Sequence, residues 1–313
     1  MAVKLVTHSG SFHYDEILAT AMLMDVYDKV KIIRTRDSNR FDEGNVVYDV
    51  GGVFDPENNK FDHHQKTFNE TFSEKFSIKL SSAGLIYKYF HKKIFNKYNI
   101  KTSGDLYEII RDKIYEEFLI GADAIDNGVD IAGEIKVRSV CDLVANFNQS
   151  TGINEEEKQK HETDQFHKAL EIVRMDWNNY MNNVIKKYIS QYDYIKNVLI
   201  NTDSNILFLK TQIDHNLIID IEKQLKRNIL FIIYKKDFSM YRIYCVNKKK
   251  HVMETKMPLY KEWRGLRDQE LEKVAGFEGI KFVHATGFTG GAATFEVAKL
   301  MCELTIKKSA GTE

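Results

Sequence analysis

The chain has 313 residues, 43% hydrophobic and 12% aromatic, with 45 Lys and Arg balancing 45 Asp and Glu. That length allows two domains of ordinary size, and zero formal net charge excludes a bulk electrostatic footprint for nucleic acid. Cys141, Cys245 and Cys302 are too few and too widely spaced for a disulfide framework and fit a reducing compartment; no apolar run approaches the ~18 residues of a membrane span.

The first apolar stretch, residues 3–7, reads as a buried strand. It runs directly into His8-Ser9-Gly10-Ser11-Phe12-His13-Tyr14-Asp15-Glu16. Beyond it, Ile17, Leu18, Ala21, Met22, Met24 and Val26 carry a helical pattern, so His8, His13 and Asp15 stand at a strand-to-helix junction. A second strand over residues 30–35 leads to Arg34 and Arg36. These arginines either hold phosphate through charge-assisted hydrogen bonds or are a solvated strand end. A third strand, residues 45–50, sets Asp49 near a buried strand end, just before Gly51-Gly52. An unpaired buried carboxylate is costly and a metal ion would relieve that cost; a turn residue before two glycines is the plainer reading.

Asp62-His63-His64 follows Phe61 and precedes Gln65 and Lys66, where an apolar strand end meets a polar loop. α/β proteins place their chemistry at such strand ends. Two imidazoles and a carboxylate within one turn of chain suit Mn²⁺, Fe²⁺ or Zn²⁺, although a solvated polar loop would look the same. Residues 109–120 predict a helix that ends in the segment 121–128, with Asn127-Gly128 as its stop signal and Asp123 or Asp126 pointing into a site. A long amphipathic helical region reaching about residue 194 links the two halves. In the second half, strands are expected over 198–200, 206–209, 229–234, 241–246 and 280–284, and helices over 216–225, 266–274 and 292–305. Residues 284–291 read as a Gly-rich turn between strand and helix, where backbone N–H groups can hold an anion; many tight turns share that composition.

The segments THSGSFHYDEILA, IIRTRD, YDVGGVFDPENNKFDHHQ, KLSSAGLIYKYF, ADAIDNG, EWRGLRDQEL and FVHATGFTGG resemble the melanocyte-proliferating-gene family of metal-dependent hydrolases, within the DHH phosphoesterase superfamily. The resemblance covers almost the whole chain. It implies an α/β fold with a DHH-type metal-binding catalytic domain over 1–190 and a smaller α/β substrate-binding domain over 195–313. Alternating strands and helices predict a mostly parallel first sheet with helices on both faces. The resemblance also implies a two-metal site. One metal is expected on His8, His13 and Asp49, the other on Asp15, Asp49, His63 and Asp123, with Asp126 as the alternative. His13 stands where relatives usually carry an aspartate. His64 is expected to face the scissile phosphate, and Asp62 to orient the histidines as metal-bound imidazoles need. His284, Gly290 and Gly291 become expected substrate contacts. Arg264 or Arg267 either reaches toward substrate across a cleft or is surface charge at a helix start. Ala292, Ala293 and Phe295 depart from the polar and basic residues relatives carry there, which points to weaker phosphate binding or a changed substrate.

The implied function is metal-dependent phosphodiester hydrolysis by two divalent ions. Mn²⁺ is the expected ion, with Mg²⁺, Zn²⁺, Co²⁺ or Fe²⁺ as alternatives. The implied enzyme is a 3′–5′ exonuclease on RNA or short oligonucleotides, a substrate that rests on the resemblance alone. The alternatives are a phosphohydrolase of nucleotides or phosphoanhydrides, and a catalytically silent metal- or nucleotide-binding regulator. With a strand beginning at Val3, no cleavable targeting peptide is expected. The expected compartment is the cytoplasm, with the nucleus as alternative, and the oligomeric state, including a homodimer, stays open.

Overall fold

The computed structural model describes residues 1–130, 137–149, 153–250 and 252–311, and the chain divides into two compact units, Met1–Ile185 and Lys186–Glu313. In the first, β1 (Val3–Thr7) leads to α1 (Tyr14–Val26) and β2 (Val30–Arg34), followed by β3 (Val46–Tyr48), β4 (Phe54–Asp55) and β5 (Lys60–Phe61). The sheet order is β2-β1-β3-β5-β4; every pair is parallel except β4 with β5. Successive residues of a strand face opposite sides, yet Leu5 and Val6 are both fully buried. That two-sided burial is why adjacent residues of β1, Leu5 and Val6, are both apolar. Val6 packs with Ile33, Val47 and Val50 on one face. On the other, the Tyr48 hydroxyl bonds Thr20 of α1 at 2.5 Å.

Helix α1 is buried on nearly every side. The helices α2 (Ser82–Lys97), α4 (Ile120–Asp126), α5 (Val140–Ala145) and α6 (Glu155–Asn183) all pack on it. A helix apolar all round belongs in a core. Its last-turn Asp25 is buried and ionic, tolerable only because it is paired: it accepts from Tyr98 Oη and Trp177 Nε1, each at 2.8 Å, and from Lys97 Nζ.

Two expectations for this unit change. The face bearing Val6, Ile33, Val47 and Val50 packs Phe41 from a 3-10 turn (Ser38–Glu43) among the described residues, where the alternation pattern predicts a helix layer. The helical run is also longer than residues 109–120. The chain runs from α3 (Asp105–Ile114) through a π-helical turn (Tyr115–Leu119) into α4, which continues to Asp126. Glycine inside a helix costs only about 1 kcal/mol relative to alanine, and packing overrides it. The stop is Asn127-Gly128, with Gly128 at φ 69°.

The second unit runs α7 (Ser190–Ile200), β6 (Ile206–Leu209), α8 (His215–Gln224), β7 (Phe231–Asp237), β8 (Met240–Cys245), α9 (Asp268–Ala275), β9 (Ile280–Val283), β10 (Thr289–Ala292) and α10 (Phe295–Ser309). Its sheet order is β6-β7-β8-β10-β9, parallel only at β6–β7. Phe231, Ile233, Ile243, Trp263, Ala292 and Met301 share its core. Residues 198–200 close α7 instead of forming a strand. Gly290 and Gly291 form strand β10, not an anion-binding turn. A Cβ on Gly290 would lie 2.7 Å from the Leu259 side chain, and one on Gly291 2.6 Å from the Phe282 ring, so both glycines answer to close packing. Among the described residues no helix is long and apolar enough to cross a membrane.

Candidate metal centre

Strands β1, β3 and β5 are parallel neighbours, so their C-terminal ends lie side by side. His8 follows β1, Asp49 follows β3, and Asp62-His63-His64 follows β5. His13 is the N-cap of α1, which places Asp15 and Glu16 in that helix's first turn. Asp126 arrives from the end of α4. Strand order and two helix ends thereby gather residues up to 118 positions apart in sequence (126 − 8).

Asp49 sits at the centre. Its Oδ2 is 3.2 Å from His8 Nε2 and its Oδ1 is 3.1 Å from His63 Nε2, one oxygen to each histidine. Its backbone is left-handed, with φ 57°, a conformation aspartate tolerates better than most residues. Glu16 also bonds His8 Nε2, and Asp126 Oδ2 lies 3.4 Å from His63 Nε2. Four overlapping groups each bring one donor atom per residue within 4.8 Å: His8, His13 and Glu16; Asp49, His63 and His64; His13, Asp15 and Asp126; and Asp15, Glu16 and Asp49.

The electrostatics are lopsided. Asp15, Glu16 and Asp49 are at most 4% exposed. Burial, then the charge of Asp49, pushes Asp15 well above the usual carboxylate range. Burial lifts Glu16 to about 8, against the pull of its bond to His8. Asp49 is lowered despite its burial, because His63 and His8 donate to it. Burial pulls His8 down, but its bonds to Asp49 and Glu16 prevail and hold it at about 10. Three carboxylates this close cannot all ionise in an apolar surround without added positive charge. Asp15 Oδ2 accepts from Ser82 Oγ at 2.8 Å, while the buried Oδ1 has no hydrogen-bond partner among the described residues. The orphaned oxygen, the surplus negative charge and the imidazole–carboxylate donor set fit divalent transition ions.

Asp62 does narrower work than expected. Its Oδ1 is 2.6 Å from His64 Nδ1, and its Oδ2 accepts the Gly52 N–H at 2.5 Å. It therefore orients His64, while His63 is held by Asp49 and Asp126. His64 is 62% exposed at its side chain, against 7% for His63, and its bond to Asp62 raises its pKa.

Of the two aspartates expected here, Asp126 is the one with an oxygen among the grouped donor atoms. Asp123 Oδ1 accepts Ser81 N–H at 2.9 Å, Ser81 Oγ at 2.7 Å and Gly84 N–H at 3.1 Å, and its Oδ2 accepts Tyr115 Oη at 2.8 Å. Its acceptors are spent on the first turn of α2 and on the π turn, and it stands outside the donor groups, which include Asp126. A Cβ on Gly84 would lie 2.3 Å from Asp123 Oδ2. Gly84→Ala is therefore expected to lose about 1–3 kcal/mol of stability in urea unfolding, the usual cost of overpacking. Asp126→Asn should stay within about 0.5 kcal/mol of the parent; equal losses would remove the distinction drawn between the two aspartates.

Arg34 is buried, whereas Arg36 stays exposed; both bond the loop that carries His8 and His13. Arg34 Nη2 donates to Gly10 O at 2.6 Å, and its guanidinium lies 5.2 Å from the Phe12 ring centre and 4.6 Å from that of Phe166. Arg36 Nε donates to Ser9 O at 2.9 Å. In the second unit, His284 is exposed with Nδ1 3.0 Å from Thr286 Oγ1. Arg264 Nε donates to Leu259 O at 2.8 Å, and the Arg267 guanidinium lies 5.4 Å from the Phe282 ring centre. Glu16 is the site residue that sequence reasoning missed; its signal was a second acid opening a helix otherwise apolar all round.

A mixed α/β protein that gathers buried histidines and carboxylates at the parallel strand ends of one sheet belongs to the class of candidate metal-binding enzymes. A model of the uncharacterised protein family UPF0160, named MYG1_exonuc, matches residues 4–306, and the chain belongs to that family. It is 36% identical to the MYG1 protein of Dictyostelium discoideum, over 99% of this chain and 98% of that one. It is 32% identical to the MYG1 exonuclease of Mus musculus (97% and 84%) and 33% identical to the MYG1 protein C694.04c of Schizosaccharomyces pombe (95% of each). The solved pGpG-specific phosphodiesterase PggH aligns across 98% of this chain and 99% of its own at 12% identity, with a TM-score of 0.29, too loose a likeness to define fold or chemistry.

Proposed function

We propose that the chain is a DHH-type metal-dependent phosphodiesterase, a 3′–5′ exonuclease on RNA or short oligonucleotides. The observation that carries the reading is Asp49, whose two oxygens each face a different histidine. A carboxylate so placed could serve two ions at once. His8, His13 and Glu16 would complete one ion's shell, and Asp15, His63 and Asp126 the other's, with Mn²⁺ as the favoured ion. When bound, such a pair polarises phosphoryl oxygens and makes water nucleophilic at neutral pH. The rest falls to the chain. Ser82 holds Asp15 in place. Asp62 fixes His64 at the solvent-facing edge, where its ring can donate a proton to the departing oxygen. The first unit takes the catalytic role and the second the binding of substrate. The naming of mammalian relatives as exonucleases supports the activity. RNA and the strand polarity rest on family resemblance.

The deciding experiment pairs metal analysis of the purified protein with Mn²⁺-dependent hydrolysis of an end-labelled RNA and of a p-nitrophenyl phosphodiester. About two ions per chain and stepwise shortening from the 3′ end are expected. Turnover of mononucleotides or phosphoanhydrides alone would replace the exonuclease with a small-molecule phosphohydrolase. A protein that takes up no divalent ion would end the reading.

A further inference from the structure

The loop that carries His8 and His13 links β1 to α1 without regular structure of its own. His13 caps α1 without a side-chain capping bond. Ordering of this loop comes from elsewhere. Arg36 takes Ser9 O, Arg34 takes Gly10 O, and Asn148 takes both backbone groups of Phe12. Asn148 Oδ1 accepts the Phe12 N–H at 2.9 Å, and Asn148 Nδ2 donates to Phe12 O at 2.7 Å. One carboxamide thus reproduces a strand-like pair of bonds across 136 residues. The Phe12 ring is anchored as well, edge-on to Phe166 at 5.4 Å. The next residue is His13, whose ring belongs to two of the donor groups.

We infer that Asn148 is a positioning residue: its carboxamide locks the Phe12 peptide groups and thereby sets the direction in which His13 enters the metal centre. The inference rests on the metal-centre reading above for its functional meaning, and on the loop's hydrogen bonds for its structural content. Asn148 touches no reacting atom. It acts through the backbone, as the outer partners of metal ligands do.

The test uses the full chain with two substitutions. Asn148→Ala removes both bonds. Asn148→Asp keeps the shape and the acceptor for Phe12 N–H but loses the donor and sets a carboxylate against Phe12 O. Hydrogen exchange of the peptide covering residues 9–13 is expected to quicken about tenfold or more in Asn148→Ala, with α2 and α6 unchanged, and by less in Asn148→Asp. Calorimetric titration with Mn²⁺ should show affinity weakened about 10- to 100-fold. On oligonucleotide substrate at saturating Mn²⁺, kcat should fall with KM unchanged. Parental exchange in both variants would overturn the clamp. Faster exchange with parental Mn²⁺ affinity would make Asn148 a loop fastener without influence on His13 and overturn the positioning role. A parent protein that binds no Mn²⁺ would sink the metal reading itself, and the exchange measurement would still decide the clamp.

Discussion

Asp49→Ala is expected to strip the protein of both metal ions and of all measurable hydrolysis. The side chain is 3% exposed and gives one oxygen toward His8 and the other toward His63. Its removal takes a donor from each half of the centre at once. Loss of an outer-shell partner alone costs about 10- to 100-fold in affinity; loss of the shared inner donor should exceed that for both ions. Alanine also fits poorly at φ 57°, a strain of roughly 1–2 kcal/mol. Asp49→Asn separates the two effects, because asparagine accepts that backbone conformation while lacking the charge. Metal analysis of both variants is the measurement. If either kept two ions and turnover, Asp49 would not be the shared ligand.

His64→Ala should behave in the opposite way, keeping the metal while slowing hydrolysis. Its ring is exposed, held at Nδ1 by Asp62 and lifted in pKa by that bond. The bond to Asp62 favours the protonated ring, and the ring faces solvent. General acid catalysis contributes about 10²- to 10⁴-fold, and a fall of that size in kcat is expected. The ring also stands 4.0 Å from Asp49 Oδ1 and within a donor group with His63. Loss of an ion from His64→Ala would make it a ligand and leave the proton donor unassigned.

Much of this centre could be read before any coordinates, for a physical reason. Parallel strands buried on both faces leave apolar runs, and a polar residue ending such a run stands out. His8, Asp49 and Asp62-His63-His64 were legible on that ground. The choice between Asp123 and Asp126 was not, because they lie one turn apart on the same helix. What separates them is the first turn of α2, whose orphan N–H groups take Asp123, and no local pattern displays that demand. Gly290-Gly291 misled in the other direction. Paired glycines look like a turn, but here they make room for Leu259 and Phe282 inside a sheet. For Arg34 and Arg36 the sequence left phosphate binding and a solvated strand end both open, because it does not display the bonds these guanidinium groups make to Gly10 O and Ser9 O.

The brevity of β5 has a further consequence. Its two residues, Lys60 and Phe61, stand directly before the triplet, and Phe61 is sealed at 1% exposure beneath the rings of Tyr89 and Phe90. One step beyond Asp62, His63 turns inward; one further, His64 turns outward. The distance in residues from Phe61 therefore acts as a ruler. A single inserted or deleted residue between Phe61 and the triplet would change which ring meets Asp49. Gln65 and Phe68 extend the constraint, for Gln65 Nε2 donates to Asp62 O at 3.1 Å and the Phe68 ring lies 6.3 Å from that of His63.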